Sequence, residues 1–371
     1  MSNDPPRKQP LGPISNARKA AFGLIAAGIF FVLIELAAYM GLALLGPGQV
    51  PLTVGWEGDA ENADRLIDAI YVPDDRLFFK LRPNLDVPVT PNPRIFDLQT
   101  NALGLRGKPV VLPKPDDLFR ILCLGDSCTF GSGAAANQTI PAQLEQELTD
   151  RRPDLRIEVI NAGVPGYTTY QARQFFESDG IALQPDCVVL TLGYNDALPT
   201  GPAVKRRFRA DLQLSDREYA DARKSVGFLA ITRLAQRLTG AARSPSDSTV
   251  QNSVTKRRVS LDDYRDNLNA ILDLCSQRGA QAIIVAWPVE PQSRPDVPMD
   301  LGNQIFILYQ AAARTVAAQR SSPLVDLVPI LAGRSDLYID HVHVNPTGYG
   351  IAARAIADAV APLLPVPTPK K

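Results

Sequence analysis

The sequence is poor in histidine: its 371 residues contain only His341 and His343, two positions apart near the C-terminal end. Histidine is the side chain whose unperturbed pKa lies closest to neutrality. Any acid–base chemistry that needs an imidazole must therefore use one of these two residues. A metal site that combines both imidazoles with nearby acids has a weak signature, because two imidazoles and scattered acids are few ligands.

Cysteine is also scarce, and the chain has no excess charge of either sign. Its four cysteines show neither the spacing of a zinc site nor a disulfide framework. Cys123 and Cys187 lie in apolar runs and are expected to be buried thiols. Lys plus Arg and Asp plus Glu number 39 each, so no nucleic-acid partner is indicated. The length predicts one large domain or two small ones.

One long apolar run, residues 20–45, contains a single charged side chain, Glu35. At about 1.5 Å per residue, a helix of this length can cross a hydrocarbon core of roughly 30 Å. A central acid costs about 3 kcal/mol, but each Leu, Ile, Phe or Val contributes about −0.3 to −0.6 kcal/mol, so the sum favours insertion. A cleaved signal peptide is the competing interpretation, but its apolar region is usually shorter and no clear cleavage site follows here.

Charges on either side of this run predict its orientation. Four basic residues precede it and four acidic residues follow it: Arg7, Lys8, Arg18, Lys19 and Glu57, Asp59, Glu61, Asp64. A basic flank stays in the cytoplasm. We therefore expect a cytoplasmic tail at 1–19, a single-pass anchor in the cytoplasmic membrane at 20–45, and all later residues on the outer side. Glu35 either pairs with a partner helix, snorkels, or is a tolerated single charge.

The residues after the anchor divide into a stalk and a main domain. Residues 46–116 are rich in Pro and Asp, and we interpret them as a stalk that packs onto the domain at 117–366. In that domain five apolar runs alternate with helical segments: Phe119–Leu124, Ile157–Asn161, Cys187–Leu192, Ala282–Ala286 and Pro323–Leu327. Near-continuous apolar strands separated by helices predict a mainly parallel sheet covered on both faces, in a three-layer α/β/α domain.

Within this alternation of strands and helices, the sequence marks one helix and one segment that fits neither element. A helix is predicted from Leu261, because Ser260 and Asp263 resemble a capping box and Gly279 ends the apolar stripe. Residues 199–257 interrupt the alternation with a basic patch and a polar low-complexity stretch. A solvated insertion is the simpler interpretation, and a mobile lid over the site is the alternative.

Unusual residues follow four of the predicted strands. The segments are GDSCTFG at 125–131, NAGVPGYT at 161–168, GYND at 193–196 and DHVH at 340–343. Open α/β sheets place their ligand sites at the carboxyl ends of the strands. We therefore expect these segments to converge on one edge, with the histidines beside Ser127.

Taken together and in this order, the four segments resemble blocks I, II, III and V of the SGNH (GDSL-type) hydrolases, over roughly residues 117–365. The resemblance implies a flavodoxin-like α/β/α sandwich with a five-stranded sheet, and it implies ester hydrolysis. The sequence lacks a G-x-S-x-G elbow, which argues against the α/β-hydrolase fold.

The resemblance also implies roles for five residues. Ser127 matches the nucleophile, and its N–H matches one oxyanion donor. Gly166 matches the glycine whose backbone N–H is the second oxyanion donor. Asn195 matches the asparagine whose side-chain amide is the third. His343 matches the general base and Asp340 the residue that orients it. These roles agree with the physics, because a serine hydroxyl needs a base, the base needs an acceptor, and preorganised donors stabilise the oxyanion.

The residues next to these five have expected positions of their own. His341 lies two positions from His343 on an extended segment, so it should point to the opposite side, in a structural or rim position. Asp126 is expected to support the turn after the first strand. Tyr167 and Thr168 are candidates for lining the substrate cleft. Trp287 is another, with packing an equal alternative.

The sequence thus predicts a membrane-anchored serine esterase, with no cofactor and no metal, that forms an acyl-enzyme on Ser127. Its substrates would be small-molecule, glycan or lipid esters, including acetyl esters, outside the cytoplasmic membrane. One alternative is an O-acyltransferase that passes the acyl group to a sugar hydroxyl from the same site. A non-catalytic envelope scaffold is the other, and the five filled positions speak against it.

Overall fold

The computed structural model describes residues 70–87, 98–198, 257–293 and 301–366. The predicted tail at 1–19 and anchor at 20–45 lie outside these ranges, as does almost all of the predicted insertion at 199–257. No helix within the described ranges is long and apolar enough to cross a membrane. The anchor and the insertion therefore stay predictions.

The described residues form nine strands and eight α-helices. The strands are β1 (Tyr71–Asp74), β2 (Phe78–Leu81), β3 (Asp86–Val87), β4 (Leu98–Gln99), β5 (Leu118–Gly125), β6 (Arg156–Gly163), β7 (Cys187–Thr191), β8 (Gln281–Ala286) and β9 (Leu324–Asp326). The helices are α1 (Ser127–Phe130), α2 (Ile140–Arg151), α3 (Thr169–Phe175), α4 (Tyr194–Ala197), α5 (Leu261–Gln277), α6 (Leu301–Gln319), α7 (Leu327–Ile330) and α8 (Pro346–Val360).

A five-stranded sheet lies at the centre of the domain, in the order β6-β5-β7-β8-β9. All four strand pairs are parallel. Numbered within this sheet alone, the order is 2-1-3-4-5, which is the flavodoxin-like arrangement. Each of the five predicted apolar runs coincides with one of these strands, so the parallel-sheet prediction is confirmed.

Helices supply the layers outside the sheet. Helix α2 packs against α8, while α5 packs against α3 and α6. Every residue of β7 is buried, as expected for a strand covered on both faces. Helix α5 begins as its capping residues predict, because Ser260 Oγ accepts a hydrogen bond from the Asp263 N–H at 3.1 Å. The same hydroxyl donates to the Asp263 carboxylate at 2.6 Å.

Two small antiparallel pairs precede the main sheet. Strand β1 pairs with β2, and β3 pairs with β4. The β1–β2 hairpin contributes to a second apolar cluster, in which the Phe79 ring meets the Tyr167 ring edge-on at 5.3 Å between centroids. The described part of the predicted stalk thus packs onto the domain, whereas its boundary at residue 117 stays a prediction.

A buried arginine ties the amino-terminal end of the sheet to its surroundings. Arg120 on β5 is fully buried, and its Nε donates to Glu158 Oε2 on β6 at 2.6 Å. Its two Nη atoms donate to the carbonyls of Leu183 at 2.6 Å and Val111 at 2.8 Å. A cation in this position is tolerated because each of these contacts offsets part of its desolvation.

We expect Arg120→Met to reduce the free energy of unfolding by about 3–5 kcal/mol, because it leaves the Glu158 carboxylate and two carbonyls without their donor. Urea unfolding of the full-length protein, followed by circular dichroism, measures the loss. Arg156→Met is the matched control, because its ion pair with Asp117 leaves the side chains 56% and 70% exposed. This control should cost at most about 1 kcal/mol, and equal losses in the two variants would contradict the prediction.

Candidate active site

The candidate site lies where β5, β6 and β7 end, because the strand register makes their carboxyl ends level. Gly125, the last residue of β5, pairs with Gly163 of β6 on one side and with Thr191 of β7 on the other. The predicted oxyanion donors follow these strand ends closely: Ser127, Gly166 and Asn195. The expected convergence of three separate segments on one edge is therefore present.

Ser127 is the first residue of α1, and Asp126 caps this helix. Asp126 Oδ1 accepts a hydrogen bond from the Cys128 N–H at 2.9 Å, which supports the turn between strand and helix. Helix α1 lies directly on β6, since a Cβ at Gly163 would come within 2.2 Å of the Phe130 backbone nitrogen. Glycine at 163 therefore permits the approach that places Ser127 at the sheet edge.

His343 contacts both Ser127 and Asp340. Its Nε2 lies 2.7 Å from Ser127 Oγ, and its Nδ1 lies 2.8 Å from Asp340 Oδ2. A carboxylate accepts only, so Nδ1 carries the hydrogen and Nε2 is left to accept from the serine hydroxyl. The structure thus brings together the three residues predicted for catalysis, in the geometry of a Ser-His-Asp triad.

The segment that carries His343 is fixed by its own backbone and by the core. Asp340 Oδ1 accepts hydrogen bonds from the N–H groups of Val342 at 2.9 Å and His343 at 2.7 Å. The Val342 carbonyl accepts a hydrogen bond from Trp287 Nε1 at 2.8 Å. Burial raises the pKa of Asp340, but its hydrogen bonds and the charge of His343 outweigh burial and hold the pKa well below its usual range. Asp340 is therefore a stable acceptor for the imidazole.

Three hydrogen-bond donors are available at the same edge. Gly166 has a φ of +89°, a conformation that glycine adopts without strain. Within the described residues, no acceptor takes the N–H of Gly166 or of Ser127. Asn195 donates one hydrogen of Nδ2 to Asp126 Oδ2 at 3.2 Å, and its amide carries a second hydrogen. These donors suit an oxyanion better than a neutral ligand.

Asp126 determines which atom of the Asn195 amide faces it. Because a carboxylate can only accept, the amide nitrogen turns toward Asp126 and the amide oxygen turns away. Asp126 is 3% exposed. This burial raises its pKa to about 6, although the hydrogen bond from Cys128 and the charge of His343 lower it. The orientation of a predicted oxyanion donor therefore depends on a buried, titratable carboxyl.

The three candidates for lining the cleft are buried instead. Tyr167 is 1% exposed, and its hydroxyl donates to the Phe79 carbonyl at 2.8 Å, beneath the β1–β2 hairpin. Thr168 is also buried, and its hydroxyl is hydrogen bonded to the Gln171 side chain. Trp287 packs under the His343 segment, which agrees with the packing role predicted as the alternative for this residue. The hairpin covers a face that the sequence pattern alone leaves open.

His341 lies in different surroundings from His343. It is exposed, and its ring centroid is 5.5 Å from that of Tyr194, the residue before Asn195. This location agrees with a rim position rather than with the centre of the site. Within the described ranges, no group of three or more His, Cys, Asp or Glu side chains could hold a metal ion.

Two further residues near the site have no role assigned by the sequence. Asp196 is fully buried and accepts hydrogen bonds from Thr169, through its N–H at 3.0 Å and its hydroxyl at 2.5 Å. Burial raises the pKa of Asp196 to about 7. Arg258 Nη2 donates to the Gly166 carbonyl at 2.6 Å. The GYND segment contains Asp196, but no local pattern marks Arg258.

We expect Asp126→Asn to change how stability depends on pH. The folded protein holds the Asp126 proton more tightly, since its pKa is about 6 against about 3.9 in an unfolded chain. This contribution to stability is fully present below about pH 4 and is lost as the pH rises through about 6. Asparagine does not ionise, so the variant does not lose this contribution. The Tm of Asp126→Asn should therefore rise relative to the Tm of the wild type between pH 4 and pH 7.

Thermal unfolding at several pH values measures this difference. Asp262→Asn is the matched control, because this carboxyl is on α5 with its side chain 91% exposed. The Tm difference between Asp262→Asn and the wild type should stay nearly constant from pH 4 to pH 7. A constant difference for Asp126→Asn as well would contradict the raised pKa.

Parts of this chain are similar to known proteins in sequence or in structure. An acetylxylan esterase from Xylanibacter ruminicola is 34% identical over 119 residues, which are 30% of this chain and 24% of that protein. The chain thus matches about a quarter of the length of this relative. An acetylxylan esterase from Geobacillus stearothermophilus aligns with a TM-score of 0.44 at 19% identity, covering 65% of this chain and 94% of that chain. A lipase/acylhydrolase from Enterococcus faecalis aligns with a TM-score of 0.41 at 18% identity, covering 65% and 95%.

Residues 123–351 match the GDSL-like Lipase/Acylhydrolase family. This range is more than half of the chain, and it includes all five predicted site residues. The protein therefore belongs to the GDSL-like lipase/acylhydrolase family, a family of ester hydrolases.

Proposed function

We propose that the protein is a serine esterase that hydrolyses acyl esters through an acyl-enzyme on Ser127. The observation that carries this proposal is the 2.7 Å contact between Ser127 Oγ and His343 Nε2, with Asp340 on the other ring nitrogen. In this arrangement the base can accept the hydroxyl proton as the oxygen attacks, and no further movement of the side chains is needed.

The first half of the reaction transfers the acyl group to the enzyme. His343 Nε2 accepts the hydroxyl proton while Ser127 Oγ attacks the ester carbonyl carbon. The negative charge that develops on the carbonyl oxygen is stabilised by the N–H groups of Ser127 and Gly166 and by the Asn195 amide. His343 then gives its proton to the departing alkoxide, and the acyl group remains on Ser127.

The second half releases the acyl group. His343 accepts a proton from water, and the resulting hydroxide attacks the acyl carbonyl carbon. The proton returns to Ser127 Oγ as the ester bond to the enzyme breaks, and a carboxylic acid leaves. Asp340 stabilises the imidazolium in both halves, because its lowered pKa keeps it ionised at neutral pH.

Acetyl and other short acyl esters on small molecules, glycans or lipids are the substrates that we propose. The relative from Xylanibacter ruminicola is an acetylxylan esterase, and this supports an acetyl ester as the first bond to test. That match covers only about a quarter of the relative. It therefore supports an acetyl ester bond as the bond that is cleaved, but it does not support xylan as the substrate. An O-acyltransferase would share the first half of the reaction and would differ in its acceptor.

We expect Ser127→Ala and His343→Ala each to lower kcat for p-nitrophenyl acetate by about 10⁴-fold or more, because nucleophile and base act as a unit. Asp340→Asn should lower kcat by about 10³- to 10⁴-fold, because the imidazole loses its fixed tautomer. Release of p-nitrophenol by the full-length protein measures these rates, and circular dichroism shows whether each variant is folded.

His341→Ala is the matched control for this experiment, because it removes the other imidazole, which lies outside the triad. Its activity should stay within about threefold of the wild type. Wild-type hydrolysis no faster than that of Ser127→Ala would contradict the esterase proposal and favour the non-catalytic scaffold. An ester product formed only with an added sugar alcohol would favour the O-acyltransferase.

We also propose that residues 20–45 anchor the protein in the cytoplasmic membrane, with the esterase domain on its outer side. The length of the apolar run and the basic residues before it support this arrangement. The substrates would then be esters of the cell envelope or of the surroundings.

An alkaline phosphatase reporter fused after Lys371 should be active, because this reporter folds only after export. A fusion of the same reporter after Lys19, before the apolar run, is the matched control and should be inactive. Enzymatic activity of the two fusions in whole cells gives the result, and the reverse pattern would contradict the proposed orientation.

A further inference from the structure

Arg258 makes a direct contact with the segment that carries a predicted oxyanion donor. Its guanidinium is almost fully buried, with the residue 5% exposed. Arg258 Nη2 donates to the Gly166 carbonyl at 2.6 Å. These two residues are 92 positions apart in the sequence, so only the folded domain brings them together.

The Gly166 carbonyl accepts a hydrogen bond from outside its own turn, and Arg258 donates it. A residue without a side chain has a large conformational freedom, and at a φ of +89° it has no steric preference to hold it. Within the described ranges, the hydrogen bond from Arg258 is the one that its main chain makes. A Cβ at this position would meet nothing closer than Phe79 Cζ at 3.5 Å. The peptide unit that carries the Gly166 carbonyl has one further hydrogen bond, from the Tyr167 N–H to the Val164 carbonyl at 3.0 Å, which closes the local turn.

The backbone around Arg258 is itself held in place. The Arg258 N–H donates to the Leu198 carbonyl at 2.9 Å, and the Val259 N–H donates to the Asp196 carbonyl at 3.2 Å. The Tyr309 hydroxyl donates to the Val259 carbonyl at 2.6 Å. The guanidinium therefore extends toward Gly166 from a fixed origin, as a preorganised site requires.

Asp196 strengthens this arrangement from the other side. It follows Asn195 directly, and its buried carboxylate accepts hydrogen bonds from Thr169, three residues beyond Gly166. Burial opposes the ionisation of Asp196, and the charge of Arg258 is among the effects that favour it. The segments that carry Asn195 and Gly166 are thus connected through one buried carboxylate and one buried guanidinium.

We propose that Arg258 is a positioning residue of the oxyanion hole, which fixes the direction of the Gly166 N–H by holding the Gly166 carbonyl. The two groups belong to successive peptide units joined at one α-carbon. Holding the carbonyl restricts ψ at Gly166, and the turn then leaves its N–H a narrow range of directions. This inference rests on the proposed esterase function, because the N–H matters only when an oxyanion forms. Arg258 touches neither the nucleophile nor the reacting atoms.

Arg258→Met tests this inference, because it keeps an unbranched chain of similar length and removes the donor. Outright loss of an oxyanion donor lowers kcat by about 10²- to 10³-fold. Arg258→Met should lower kcat for p-nitrophenyl acetate by about 10- to 100-fold, because the Gly166 N–H remains but loses its fixed direction. KM should stay within about twofold, since the oxyanion develops only in the transition state. Binding of an alkyl boronic acid, whose tetrahedral adduct places an oxyanion in the hole, should weaken in proportion to kcat.

Two further variants separate positioning from a general effect on folding. Arg257→Met is the matched control, because the neighbouring guanidinium donates to the Ala197 carbonyl at 3.1 Å instead. It should keep kcat and boronate affinity within about threefold of the wild type. Arg258→Lys keeps the charge and one donor but not the planar fork. Arg258→Lys should lose less activity than Arg258→Met. If Arg258→Met does not fold, the kcat and boronate affinity of Arg258→Lys test the inference instead.

The outcomes are distinct. A drop in kcat and boronate affinity with KM unchanged, in the Arg258 variants but not in Arg257→Met, supports the inference. Unchanged kcat in folded Arg258 variants, or equal losses in the Arg257 and Arg258 variants, overturns it and leaves the esterase proposal standing. If the wild-type protein hydrolyses the ester no faster than Ser127→Ala, the proposed esterase function is wrong, and the inference about Arg258 is wrong with it.

Discussion

The rest of the structure depends on the parallel pairing of β5 between β6 and β7. Helices cover both faces of this sheet, so most side chains along its strands are apolar, and reactive groups meet a ligand beyond the strand ends. The pairing of Gly125 with Gly163 and with Thr191 makes those ends level. A nucleophile, a backbone donor and a side-chain amide can therefore come from three separate segments and still meet within one small site.

Two buried carboxylates and one half-buried carboxylate hold the site beyond that edge. Asp126 orients Asn195, Asp340 orients His343, and Asp196 connects the neighbouring segments. Burial opposes the ionisation of all three, and it raises the pKa of Asp126 and Asp196, whereas the hydrogen bonds of Asp340 lower its pKa. Several desolvated acids at one edge cost stability, and perturbed carboxyls of this kind are typical of functional sites rather than of an ordinary core.

Much of this arrangement could be predicted from the sequence, because buried parallel strands appear as apolar runs. All five runs lie within two residues of the observed strand limits, and the order of the four segments placed Ser127 beside His343. Contacts that depend on distant segments could not be predicted. Tyr167 is directed into the core by a hairpin 88 positions earlier, and Arg258 meets Gly166 across 92 positions. No periodicity or local spacing marks either contact.

The two hydrogen bonds of His343 differ in what determines them. Asp340 precedes it by three residues, and Asp340 Oδ1 accepts two N–H groups of the same segment while Oδ2 accepts from the imidazole. The orientation of the base is therefore a local property of this loop. The contact with Ser127 spans 216 positions and depends on how the loop docks, for which the bond from Trp287 Nε1 to the Val342 carbonyl is one support. A shift in docking would lengthen the contact with Ser127 while the base and its acid stay paired. Activation of the nucleophile is thus the part of the site most sensitive to packing elsewhere in the domain.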